Sequence, residues 1–135
     1  MYQIASIVAA AALCGAALPA SASRVDERGE SQLAKLLEGR VAGKAVDCIT
    51  LRAIDDIEVA DGTAILYRSG GRLYVNRPTT DPSLLQRGDV LLTRSTGTRL
   101  CSLDTVRVLD QASHLPKGFV ALGKFVLYSR RAGDH

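Results

Sequence analysis

Short apolar runs punctuated by turn-forming dipeptides restrict this chain more than any other feature. Asp61-Gly62 and Gly70-Gly71 lie between runs of alternating polarity, and both are steps at which a chain reverses into a hairpin. Gly88-Asp89 and Thr96-Gly97 repeat the signal further on. The spacing predicts strands over residues 45–51, 54–59, 63–68, 72–77, 90–94, around Leu100 and Cys101, 105–109 and 119–128. Val106 and Val108 point inward in the seventh, and Gly123 bends the last. Pro78 ends one pairing, and residues 83–86 make a single helical turn. The pattern is mainly β: a small antiparallel barrel or sandwich of about six to seven short strands, preceded by one short helix.

The hairpin at Gly70-Gly71 has two registers. A three-residue loop sets Arg68 across from Arg72, a like-charge pair that destabilises. A two-residue turn pairs Tyr67 with Tyr74 and Leu66 with Val75, a gain of up to about 1 kcal/mol. It also puts Leu66, Leu73 and Val75 on one face, and this is the register we expect. The helix is expected over residues 31–38, where Leu33, Leu36 and Leu37 form a stripe, with Gly39 as its stop and Gly43 as a second break. One lysine and one glutamate make it a poor membrane-surface helix, so we read it as a lid on the core, after a loose charged leader at 24–30.

Charge divides the chain unevenly. Residues 1–23 contain no charged side chain, so all 31 charges of the 135-residue chain fall in the remainder. The apolar run from Ile4 to Leu18 is shorter than the roughly 20 residues that span a bilayer. It ends at Pro19 and the small residues Ala20-Ser21-Ala22, which reads as a signal peptide over residues 1–22 with cleavage after Ala22. No Lys or Arg precedes the apolar core, which keeps an uncleaved anchor as the alternative. Leu13 before Cys14 does not fit a lipid-attachment site. The chain then divides into a leader and short amphipathic helix at 23–44, a β domain at 45–128 and a disordered tail at 129–135. The mature 113 residues are about 27% charged, near the usual globular proportion, which argues against a disordered chain.

Cys48 and Cys101 remain after cleavage. They lack CxxC spacing, and His114 is the only interior histidine, so a structural disulfide is preferred to a redox or metal site. Two Phe and no Trp leave a core of small aliphatic side chains that such a crosslink would reinforce.

No catalytic constellation is expected. His114 stands beside Ser113 and near Asp110, but no nucleophile elbow is present and the loop is polar. Asp55, Asp56, Glu58 and Asp61 cluster without the order of a calcium loop or a defined carboxylate dyad, and a solvated strand edge is the simpler reading. Arg68, Arg72, Arg77, Arg94, Arg99 and Arg107, interleaved with Tyr67 and Tyr74, have the flavour of a single-strand nucleic-acid surface. The net charge of only +3 and the export argue against that partner, leaving a weak anionic-ligand surface. Asp104 follows Cys101 by three residues; it caps backbone amides or pairs with an arginine such as Arg52.

The order Asp47-Cys48-Ile49, Arg52-Ala53-Ile54, Asp61-Gly62-Thr63-Ala64-Ile65-Leu66-Tyr67, Tyr74-Val75-Asn76-Arg77-Pro78, Leu100-Cys101-Ser102-Leu103-Asp104 and Gly118-Phe119-Val120-Ala121-Leu122-Gly123-Lys124-Phe125 covers over half of the chain. It resembles a family of small exported bacterial proteins with no assigned function. The resemblance implies an exported single domain with two cysteines and carries over no catalytic residue. The expected function is a non-enzymatic periplasmic or secreted binding domain of the cell envelope. It would use exposed strand edges or a face of Tyr67, Tyr74, Arg72 and Arg77 to hold an envelope protein or small ligand. No cofactor, metal, nucleic acid or stable membrane anchor is expected. The alternatives are a small periplasmic enzyme built on carboxylates around Asp104 and Arg52, and a structural subunit unstable alone.

Overall fold

Alternation along residues 64–76 lines up two apolar sets, and both are buried. In the computed structural model, which describes Gly15 and residues 20–94 and 97–131, Leu66, Leu73 and Val75 enter one core cluster while Ile65 and Tyr67 enter another. The chain runs α1 (Ala20–Leu36), β1 (Arg40–Val46), β2 (Cys48–Thr50), β3 (Asp56–Ala60), β4 (Ala64–Ser69), β5 (Arg72–Asn76), β6 (Val90–Thr93), β7 (Arg99–Cys101), β8 (Thr105–Leu109), β9 (Pro116–Ala121) and β10 (Phe125–Arg130). Single 3-10 turns lie at Leu51–Ala53 and Pro82–Leu84.

The fold is mainly β and antiparallel, as the turn spacing requires. Among the described residues there are ten strands rather than six or seven. They form a five-stranded sheet β1-β10-β5-β4-β3, a pair β2-β7 and a three-stranded sheet β6-β8-β9, none closed into a barrel. Two of the eight expected strand segments are each split, which brings the count to ten. The expected 45–51 strand breaks at Asp47, and pairing starts at Arg40, where β1 joins β10. Gly43 lies inside β1 beside a register shift between Ala42 and Ala45, so it bends a strand instead of ending one.

The expected 119–128 strand divides into β9 and β10, which belong to different sheets. Gly123 is the crossing point. A Cβ there would lie 2.5 Å from the Arg77 carbonyl oxygen, closer than any side chain tolerates. Asn76, fully buried, accepts the Gly123 amide at Oδ1 (2.9 Å) and donates from Nδ2 to the Gly123 carbonyl (2.8 Å). One side chain thereby satisfies both backbone groups where the ladder is interrupted.

The Gly70-Gly71 turn has the expected register, with Tyr67 opposite Tyr74 and Leu66 opposite Val75. The Asp61-Gly62 turn also takes in Thr63, whose amide donates to the Ala60 carbonyl at 3.0 Å.

Leu33 is buried, and Leu36 and Leu37 pack beside it over Ala60, Ala64, Leu66, Leu73 and Val75, the lid that the stripe predicts. Gly39 follows with φ +73°, a conformation that glycine adopts cheaply. The leader 24–30 is not loose: it is helical, within α1. Its two arginines and two glutamates are good helix formers. Gly29 packs so closely on the 61–63 turn that a Cβ would meet the Asp61 carbonyl oxygen and Thr63 Oγ1 at 1.9 Å. No helix of the described residues is long and apolar enough to cross a membrane. The expected signal peptide lies outside the described residues except for Gly15 and residues 20–22, and the expected tail beyond Arg131 does likewise. Ser129 and Arg130, assigned to that tail, belong to β10.

Cys48 and Cys101 are bonded, and they face each other directly across β2 and β7 with Cα atoms 4.0 Å apart. Closing a loop of roughly 54 residues stabilises by about 4 kcal/mol in the chain-entropy model. Cys48→Ala should therefore lower the urea midpoint strongly, with the loss matched by reducing the native protein; unchanged melting in both would show the crosslink to be dispensable.

Candidate functional site

The expected aromatic and basic face does not form. On β4, Tyr67 alternates with Leu66 and so points with Ile65 into the larger core cluster, where it is 1% exposed. Its ring meets Phe125 edge-on at 5.7 Å between centroids. Among the described residues Tyr67 Oη has no hydrogen-bond partner, and burial pushes the phenol well above its ordinary range. Tyr74 is half-buried against the same cluster. Arg77 turns back to α1 and holds Glu30 through both guanidinium nitrogens, Nη2 to Oε2 at 3.1 Å. Arg72 alone of the four stands free on the surface, beside the Gly70-Gly71 turn. The cross-strand pairing is legible in alternation, but which face meets the core is not.

Asp104 fulfils the capping half of its reading: Oδ2 accepts the Cys101 amide at 2.8 Å. Arg52 lies exposed on the first 3-10 turn, and no ion pair joins it to Asp104. The acidic cluster is dispersed into local tasks. Asp55 Oδ2 accepts the Gly70 amide at 2.7 Å, Asp56 Oδ1 accepts the Ile57 amide at 2.9 Å, and Glu58 sits 3.8 Å from Arg68. Asp110 Oδ1 accepts from the amides of Ala112 and Ser113 and from Ser113 Oγ, so it organises the loop that carries an exposed His114 at φ +58°.

What sequence reading missed is a groove on the free edge of β3. This strand ends the five-stranded sheet, so one row of its amides and carbonyls has no strand beside it. The Ile57 amide donates to the side chain of its own neighbour, Asp56 Oδ1, at 2.9 Å. A groove of about 590 Å³ runs here, lined by Gln32, Lys35 and Leu36 of α1, by residues 56–59, and by Arg87, Gly88, Asp89 and Leu91. Leu91 belongs to β6, itself the edge of its sheet.

Strand alternation gives the groove two unlike walls. Val59 enters the larger core cluster and Ala60 the smaller, so Ile57 shares the side of Val59 and Leu91, while Asp56 and Glu58 share that of α1. One wall is apolar, with Ile57 42% exposed. The other presents Gln32, exposed Lys35, Asp56 and Glu58.

Asp61 frames the groove. Its Oδ2 accepts from Gln32 Nε2 at 2.8 Å, its amide donates to Gln32 Oε1 at 2.9 Å, and its Oδ1 accepts the Arg87 amide at 2.6 Å. One carboxylate thus joins α1, the β3–β4 turn and the loop before β6. Asp89, its side chain buried, holds Lys117 Nζ at 2.7 Å and accepts the Gln86 amide, which fixes the far rim. Partial burial pushes the Asp61 carboxyl upward, but the Arg87 amide, Gln32 and the nearby arginines outweigh it and hold it below its ordinary value. Glu30 is lowered too, chiefly by its hydrogen bond to Arg77.

Two outcomes follow. Removing the orphan hydroxyl in Tyr67→Phe should raise stability by about 1 kcal/mol in urea titration, because a buried unpaired donor is relieved; a loss of that size would reveal a partner for Oη. Lowered carboxyl values in the fold mean stability present above the ordinary carboxylate range of about 4 and lost as pH falls through the lower folded values. Melting temperature against pH should fall in that window, and Asp61→Asn should flatten part of the fall. No family model, curated protein or solved structure matches the chain.

Proposed function

We propose that this is an exported, non-enzymatic binding domain of the cell envelope that takes an extended segment of another polypeptide as an added strand on β3. The observation that carries the reading is the free β3 edge opening along its length into the walled groove. Main-chain hydrogen bonds to the outer row of β3 supply affinity without regard to sequence, and alternate side chains of the segment meet unlike walls. One set packs on Ile57, Val59 and Leu91; the other faces Lys35, Gln32, Asp56 and Glu58. The preferred segment therefore alternates apolar with charged or polar residues. The uncharged apolar amino-terminal run, the disulfide and the resemblance of the motif order to small exported bacterial proteins support a location in the envelope.

A photo-crosslinking residue at Ile57 of the full chain, expressed in intact cells, should capture a specific polypeptide. The same residue at Leu115, exposed in the β8–β9 loop, should not. Ile57→Pro removes an outward donor without touching the β3–β4 ladder, and Ile57→Lys blunts the edge by charge. With the crosslinker moved to Lys35, each should cut capture at least about tenfold while melting stays near that of the parent. Equal capture from both positions, or capture untouched by both substitutions, would overturn the reading.

A further inference from the structure

The outer face of the sheet β6-β8-β9 carries chemistry that the groove does not use. Register places Leu92, Arg107 and Phe119 in one row across the three strands. Their alternating neighbours Val106, Val108 and Val120 fill the core, so the row faces outward, with Leu92 45% and Phe119 53% exposed. Arg94 and Thr105 join these three around a shallow depression of about 40 Å³. The Arg107 guanidinium lies over the Phe119 ring, 5.1 Å from its centroid. None of the five lining residues is acidic, and among the described residues neither Arg94 nor Arg107 has a carboxylate partner. Two uncompensated cations beside an exposed ring and an aliphatic chain complement a partner that is anionic at its surface and apolar beneath it.

We infer that this face docks reversibly on an anionic lipid surface, with Arg94 and Arg107 on the phosphates and Phe119 and Leu92 in the acyl boundary. Nucleic acid is the competing polyanion, and two features weigh against it. The Arg107 guanidinium already covers a face of the ring on which a base would stack, whereas an acyl chain needs only the exposed remainder. Two arginines are also few for tracking a phosphate backbone, while a lipid headgroup offers one phosphate with its apolar chain attached. This docking is independent of the β3 groove, which shares only β6 with it: Leu91 in the groove faces the core side of that strand and Leu92 the outer side.

The test is an amide NMR titration of the full chain with monomeric dihexanoylphosphatidylglycerol below its micelle concentration, read at Leu92, Arg107 and Phe119. Three further titrations use the zwitterionic choline lipid of equal chain length, glycerol phosphate alone, and an oligothymidylate. The anionic lipid should give saturable shifts in this row, and the other three should bind at least about tenfold more weakly. Arg94→Gln and Arg107→Gln should each weaken the lipid about fivefold, and Phe119→Ser about tenfold. Leu115→Ser, exposed elsewhere, should leave it unchanged. All four sites are at the surface, so parent-like spectra check the fold. Equal binding of the choline lipid, equal binding of glycerol phosphate, tighter binding of the oligonucleotide, or indifference to the arginine and phenylalanine changes would each overturn the inference.

Discussion

The chain changes sheets once between its last two strands, and the buried Asn76 makes that crossing tolerable. A strand that leaves a ladder exposes an amide and a carbonyl, each costly if buried without a partner. Asn76 serves both groups of Gly123, and the absence of a Cβ at Gly123 lets the Arg77 carbonyl come close enough for the arrangement. From that point β10 can insert between β1 and β5 while β9 stays with β8. Both faces of the sheet's centre, β4 and β5, are then buried, one under α1 and the other against β2, β7, β8 and β9. An aliphatic core with few aromatics becomes sufficient when one sheet is buried twice and a crosslink shortens the unfolded chain.

Burying both faces has a consequence at the ends of the sheet. Alternating positions of β4 and β5 are consumed by packing, so side chains there are unavailable to a partner, as Tyr67 illustrates. What stays open to solvent is the strand edges and the outside of the smaller sheet. The carboxylates follow the same economy. Asp55, Asp61, Asp104 and Asp110 each satisfy backbone amides, which gives them architectural work instead of the convergent geometry a hydrolytic site needs. Asp61 gathers a helix, a turn and a loop around one carboxylate and thereby holds open the groove beside β3.

Much of the local structure was legible. Gly70-Gly71 set the hairpin register because a one-residue slip would oppose two arginines, and Leu33, Leu36 and Leu37 announced the helix stripe by spacing alone. The candidate site was far less visible. Lys35 and Leu36 read as ordinary helix positions, Asp61 as a turn residue, and Gly88-Asp89 as another turn. Nothing in their spacing tells that Gln32 reaches the Asp61 turn or that Arg87 donates to the same carboxylate. These contacts join segments far apart in sequence, and side-chain alternation is silent about strand order.

By itself, then, the sequence determined the class of fold, the hairpins, the disulfide and the uncharged amino-terminal segment, because these depend on periodicity, turn chemistry and composition over a few neighbouring residues. Tertiary structure decided which strands are edges, which face of β4 is inside, and where the chain changes sheets. Those choices rest on long-range closures such as Asn76 with Gly123 and Gln32 with Asp61. Their energy comes from satisfying backbone groups that only the assembled fold brings together.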